Sequence, residues 1–177
     1  MDEADFSAGD IRIIQAMADF QMALSALDFV SEVSPDEPIS RIERRRLRCF
    51  EDAAVVAYWR PFSYSNGLPK LTLETLGITA TTEQLTLHER LKERRNKVIA
   101  HTDVDRMRLV LSTFRVSEDS EIMMPQYNFD DALEFYPNLD TLIMWIRILH
   151  QAATRAIFKR VQGRREIHFK RDHTDQG

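Results

Sequence analysis

Apolar residues recur at three- and four-residue spacings through four stretches of the chain, and Gly and Pro fall mainly between those stretches. In residues 10–33, Ile13, Met17, Phe20, Leu24 and Leu27 mark one broad apolar stripe, with Ile14, Met22 and Phe29 beside it. This predicts a first helix, capped by Asp10 and ended by Pro35 and Pro38. A second begins at Ser40, with Glu43 at capping-box spacing. It buries Leu47, Phe50, Ala54, Val55, Tyr58 and Trp59 and stops at Pro61. Residues 61–81 read as a loop turned by Gly67, Pro69 and Gly77; so long a connection between packed helices points to a functional loop or to short local structure. The third helix starts near Thr82 and runs to about His101 on Leu87, Leu91 and Val98. The clearest pattern is the last. It starts near Asp130 or Asn138, uses Leu142, Ile146, Leu149, Ala153 and Ile157, and ends at Gln162 before Gly163.

Between the third and fourth helices the pattern changes. MRLVLSTFRV and EIMMPQYNF are rich in β-branched and aromatic residues, and the polar SEDS between them reads as a turn. A β-hairpin is expected there, and a helix continued over residues 104–116 is the competing reading. The fold class is therefore all-α, a four-helix bundle with a small hairpin between the third and fourth helices. Residues 1–163 form one domain and residues 164–177 a basic tail.

Composition narrows the classes of function. With 177 residues, 44% of them hydrophobic, the chain supports one sizeable core. A single cysteine, Cys49, excludes a disulfide framework and a CxxC metal or redox site. No uninterrupted apolar run nears the ~18 residues of a membrane span. The acidic start, MDEADFSAGD, has no apolar signal region. A reducing cytoplasm and no membrane partner fit these features. Zinc-ligand spacings, Gly-rich phosphate loops and a nucleophile elbow are absent, so neither a metal nor a cofactor is expected.

The net charge of −4 conceals a strong segregation. Residues 1–40 carry nine acidic residues against Arg12 alone. Residues 155–171 carry Arg155, Lys159, Arg160 and four further cations against Glu166. Residues 88–108 hold seven basic and four acidic residues. Two readings are open. The acidic first helix packs near the basic segments, or the basic segments line a phosphate-facing cleft to which Arg60 at the end of the second helix also contributes.

The segment ERLKERRNKVIAHTD, residues 89–103, carries the chemistry. Arg94, Arg95, Asn96, Lys97 and His101 crowd one helix end. Arginine is a fixed cation with forked donors suited to phosphate. Histidine exchanges a proton near neutral pH, and asparagine orients either group. This set suits phosphodiester cleavage in RNA. A neutral imidazole would take the 2′-hydroxyl proton while arginine steadies charge on the phosphoryl oxygens, with no metal required. A solvated basic helix face with one terminal histidine is the simpler alternative.

The stretch RNKVIAHTD, residues 95–103, resembles the signature of the HEPN superfamily: an arginine, often followed by Asn, Asp or His, with a histidine a few residues on. The trailing Thr102-Asp103 resembles the ending seen in bacterial abortive-infection members, and VAYWRPFSYSNG, residues 56–67, resembles the end of their second helix. The resemblance implies a helical bundle and a metal-independent endoribonuclease, of toxin or abortive-infection type. It implies Arg95 and His101 as catalytic residues supported by Asn96. Arg94, Arg60, Lys97, Arg155, Lys159 and Arg160 remain candidates for phosphate or RNA contact. It further implies a homodimer with a composite cleft and an antitoxin partner. Other members bind proteins or nucleotides without catalysis, so a non-catalytic binding module is the alternative.

Overall fold

The structure, a computed structural model, describes residues 6–34, 38–65, 67–99, 108–117, 120–128 and 132–162. Four helices and one hairpin follow in the expected order: α1 (Ala8–Ser31), α2 (Arg41–Trp59), α3 (Thr82–Glu93), β1 (Arg108–Ser117), β2 (Ser120–Asn128) and α4 (Leu139–Val161). The basic tail, residues 164–177, lies outside the described residues.

Helix starts follow local chemistry. Ser7, not Asp10, caps α1. Its hydroxyl accepts from the Asp10 amide at 3.2 Å while the Asp10 carboxylate reaches back to the Ser7 amide at 3.1 Å. Asp10 is thus the third residue of a capping box, a role its place within the periodic run could not distinguish from the cap itself. Thr81 and Gln84 form the same box on α3. On α2, Ser40 caps the Glu43 amide, but the Glu43 side chain turns outward to Arg46. Pro61 ends α2 inside a short 3-10 turn, Arg60–Phe62.

Helix α1 is central and packs most extensively on α2 and α4. Ala16, Phe20, Ala23, Leu27 and Val30 are completely buried. Phe20 meets Tyr58 and Phe62 at ring separations of 6.1 and 6.0 Å. The small residues at 16, 23 and 26 let the neighbouring helices approach while Phe20 and Leu27 fill the space between them. Arg12 is 3% exposed and donates to the carbonyls of Arg60 and Ser63, closing the end of α2. Burial lowers the Arg12 pKa, opposed by the nearby Asp19 carboxylate. By length and mean hydropathy α1 qualifies as a membrane-spanning segment, although polar and charged residues interrupt its apolar positions. Here its apolar positions form the core of the bundle.

These contacts orient the helices. The start of α1 lies beside the end of α2 through Arg12 and beside the end of α4 through Asp10 and Arg160, 3.3 Å apart. Both neighbours therefore run antiparallel to α1. Helix α3 returns antiparallel to α2: His88 sits by Tyr58, and Arg94 by Asp52.

The hairpin is antiparallel, with Thr113 opposite Met123 and Phe114 opposite Ile122, and an irregularity between Arg115 and Ser117 near its turn. Phe114, Ile122 and Met124 share one face and remain 42%, 47% and 52% exposed. Among the described residues nothing buries this apolar face, and a two-stranded ribbon ordinarily needs such cover.

Candidate functional site

The expected third helix does not run evenly to His101. The α-helix ends at Glu93 and widens into a π-helical segment, Arg94–Ile99. Such i→i+5 turns are uncommon and concentrate at functional sites. His101 lies outside the described residues, and Lys97 is described only as part of the π-helical backbone.

Arg94 opens this segment and is 2% exposed. Its Nη2 and Nε donate to one Asp52 oxygen at 2.9 and 3.3 Å, and its Nη1 to Glu134 at 3.4 Å. Arg48 takes the other Asp52 oxygen at 2.9 Å and donates to the Ala132 carbonyl at 3.1 Å. Below them Glu51, 1% exposed, accepts the backbone amides of Glu134 and Phe135 at 2.8 and 3.0 Å. Burial raises the Glu51 pKa, offset in part by those two amides and the Arg94 charge. Buried charges require partners. This network supplies them and ties α2, the π-helical segment and residues 132–135 together. Arg94 is consequently committed to carboxylates rather than open to a phosphate.

Arg95, one position on, is half-buried, and its Nη1 donates to Asn96 Oδ1 at 3.0 Å. The bond orients the guanidinium and turns the Asn96 amide oxygen toward it. Asn96 also lines a groove of about 760 Å³ along the outer face of α3 with Leu85, Glu89 and Glu93. Arg95 and Asn96 thus share a hydrogen bond, beside an Arg94 with a different task.

The other candidate cations gather at the opposite end of the bundle. Arg60 pairs with Asp19, and Arg160 with Asp10. Arg155 and Lys159 line a separate groove against the loop before α3. Arg60 lies eight residues beyond Asp52 along α2, roughly 12 Å of helix. The bundle therefore separates these cations from Arg95. It also brings acidic α1 residues to basic partners, as one of the two charge readings expected.

A buried polar chain has no clear signal in the sequence. Trp145 Nε1 donates to the Tyr58 hydroxyl at 2.8 Å, and that hydroxyl lies 2.6 Å from His88 Nδ1. With the imidazole neutral and its proton on Nε2, the Tyr58 hydroxyl can accept from Trp145 and donate to His88 at the same time. Trp59 and Phe62 pack on the imidazole at ring separations of 4.6 and 4.8 Å. Burial lowers the His88 pKa and raises that of Tyr58. His88 is thus a packing residue, held among Tyr58, Trp59 and Phe62.

No group of three metal-ligating side chains occurs among the described residues. The chain matches no protein-family model, no curated protein and no solved structure.

Proposed function

We propose that this protein is a metal-independent endoribonuclease of HEPN type, with Arg95, Asn96 and His101 as its working residues. The observation that carries the reading is the Arg95–Asn96 hydrogen bond at the head of a π-helical segment anchored by Arg94. An anchored helix end presents a forked cation in a fixed direction, and preorganised charge of this kind is what phosphoryl transfer needs. His101 accepts the proton of the 2′-hydroxyl, whose oxygen attacks phosphorus. The bond to the 5′-oxygen breaks, and that oxygen takes a proton from the imidazolium His101 of the partner subunit in a composite cleft. The products are a 2′,3′-cyclic phosphate and a 5′-hydroxyl end. A cytoplasmic setting, RNA as substrate, a homodimer and an antitoxin partner belong to the same reading.

The test is incubation of the purified protein with a broad RNA panel in EDTA, with analysis of the ends. Cyclic phosphate ends that disappear in Arg95→Ala and His101→Ala are expected. RNA left intact by the wild type across the panel would refute the assignment. One observation favours a second reading, a non-catalytic protein-binding module: the exposed Phe114, Ile122 and Met124 face of the hairpin. On that reading His101→Ala changes neither RNA turnover nor partner capture, whereas Phe114→Ser abolishes capture.

A further inference from the structure

We infer that the groove between α4 and the loop preceding α3 is a binding site for an amphipathic anion: an aliphatic chain ending in a carboxylate or phosphate. The inference stands apart from the RNA reading, because this groove lies toward the basic end of α4 and shares no residue with the Arg95 segment.

One wall is built in advance. Thr72 Oγ1 accepts the Thr75 amide at 3.0 Å, opening a single tight turn. The Gly77 amide donates to the Glu74 carbonyl at 2.8 Å and the Ile78 amide to the Leu73 carbonyl at 2.9 Å. This nested pair closes the turn as a Schellman motif, with Gly77 at φ +66° in the left-handed position the motif requires. Leu73 and Ile78 then pack on the core. The other wall is α4, so neither side must be ordered by a ligand.

The groove measures about 650 Å³, within the range of small-ligand sites. Its apolar lining is aliphatic: Leu76 and Ile78 from the loop, Ile148, Ala152 and Ala156 from the helix. With no ring among its described lining residues, it suits a flexible alkyl chain better than a planar base. Arg155 and Lys159 stand one turn apart on the same helical wall. Neither has an acidic partner among the described residues, whereas the neighbouring Arg160 is taken by Asp10. Among the described residues Glu74 supplies the one carboxylate of the lining, which leaves them a surplus of one positive charge beside an apolar slot. A single anionic head with a hydrocarbon body satisfies both.

The test is calorimetric titration of the full chain with octanoate, octyl phosphate, octanol and acetate, each below its aggregation limit. Both octyl anions should bind at least about tenfold more tightly than octanol, with acetate weaker still. The better of the two identifies the head group. The double variant Arg155→Gln/Lys159→Gln, altered only at exposed positions, should lose at least about tenfold for the anions and leave octanol unchanged. Absence of binding by either anion up to about 1 mM would overturn the inference. So would octanol matching the acids, or a double variant that binds them as the wild type does.

Discussion

In the His88–Tyr58–Trp145 chain, burial lowers the proton affinity of the imidazole and one hydroxyl supplies its polar partner. Tyr58 is completely buried, and its hydroxyl serves two partners. Removing it in Tyr58→Phe orphans the Trp145 N–H and the acceptor nitrogen of His88. We expect a loss of about 1–3 kcal/mol in chemical denaturation. The pH dependence follows from the same geometry. In the unfolded chain His88 takes a proton near its ordinary pKa of 6.5, whereas burial holds the folded group below that value. Between the two values the unfolded state binds more protons, so the contribution is constant above about pH 6.5 and stability falls as pH drops below it. Glu51 has the opposite sign and a lower window. Its raised pKa makes the folded state the tighter proton binder, so stability falls as pH rises above about 4.5. Comparing wild type with His88→Gln, which keeps an acceptor but does not titrate, isolates the histidine. The variant should show a shallower loss between about pH 7 and 5, and identical slopes would count against a neutral His88.

Among the elements, what could be read in advance is what local rules dictate. Pro35, Pro38 and Pro61 break the chain wherever they stand, so the limits of α1 and α2 came out within a few residues. The hairpin was legible because β-branched and aromatic residues flank a polar stretch that reads as a turn. The π-helical widening at Arg94 was not, since no local residue pattern marks it and the residue that opens it is held by distant partners. Asp52 and Glu134, 42 and 40 residues away, draw the guanidinium inward. For the same reason nothing in ERRN distinguishes the anchoring Arg94 from the half-exposed Arg95. The distinction is testable. Arg94→Ala leaves two carboxylates without their shared cation and should cost about 3 kcal/mol, near the lower end for a buried pair because both partners are partly solvated. Arg95→Ala, by contrast, should change stability by less than about 0.5 kcal/mol while abolishing RNA cleavage. Thermal melts and cleavage assays on both variants separate the two roles. The loop before α3 gives a third case. An added Cβ at Gly77 meets nothing within 4 Å, so Gly77→Ala should cost only the left-handed backbone strain, about 1–2 kcal/mol.

At the scale of the whole molecule, charge segregation along the sequence became separation in space, but not as a single cleft. The antiparallel order of α1, α2 and α4 sends Arg60, Arg155, Lys159 and Arg160 to one end and Arg95 to the other. A subunit built this way offers an RNA strand only one Arg95 motif. The proposed chemistry needs a base for the 2′-hydroxyl and an acid for the 5′-oxygen, and in the proposed homodimer a second copy of the chain would supply the missing group by symmetry. This arrangement makes a prediction that no homogeneous variant can test. Wild-type and His101→Ala subunits, unfolded together in equal amounts and refolded as a mixture, should form mixed dimers that hold one His101 and therefore lack either the base or the acid. Cleavage should fall to about a quarter of the wild-type rate, the share of dimers that remain wild type on both sides. A fall to only about half, with mixed dimers demonstrated by native mass spectrometry, would mean that each subunit carries the base and the acid itself.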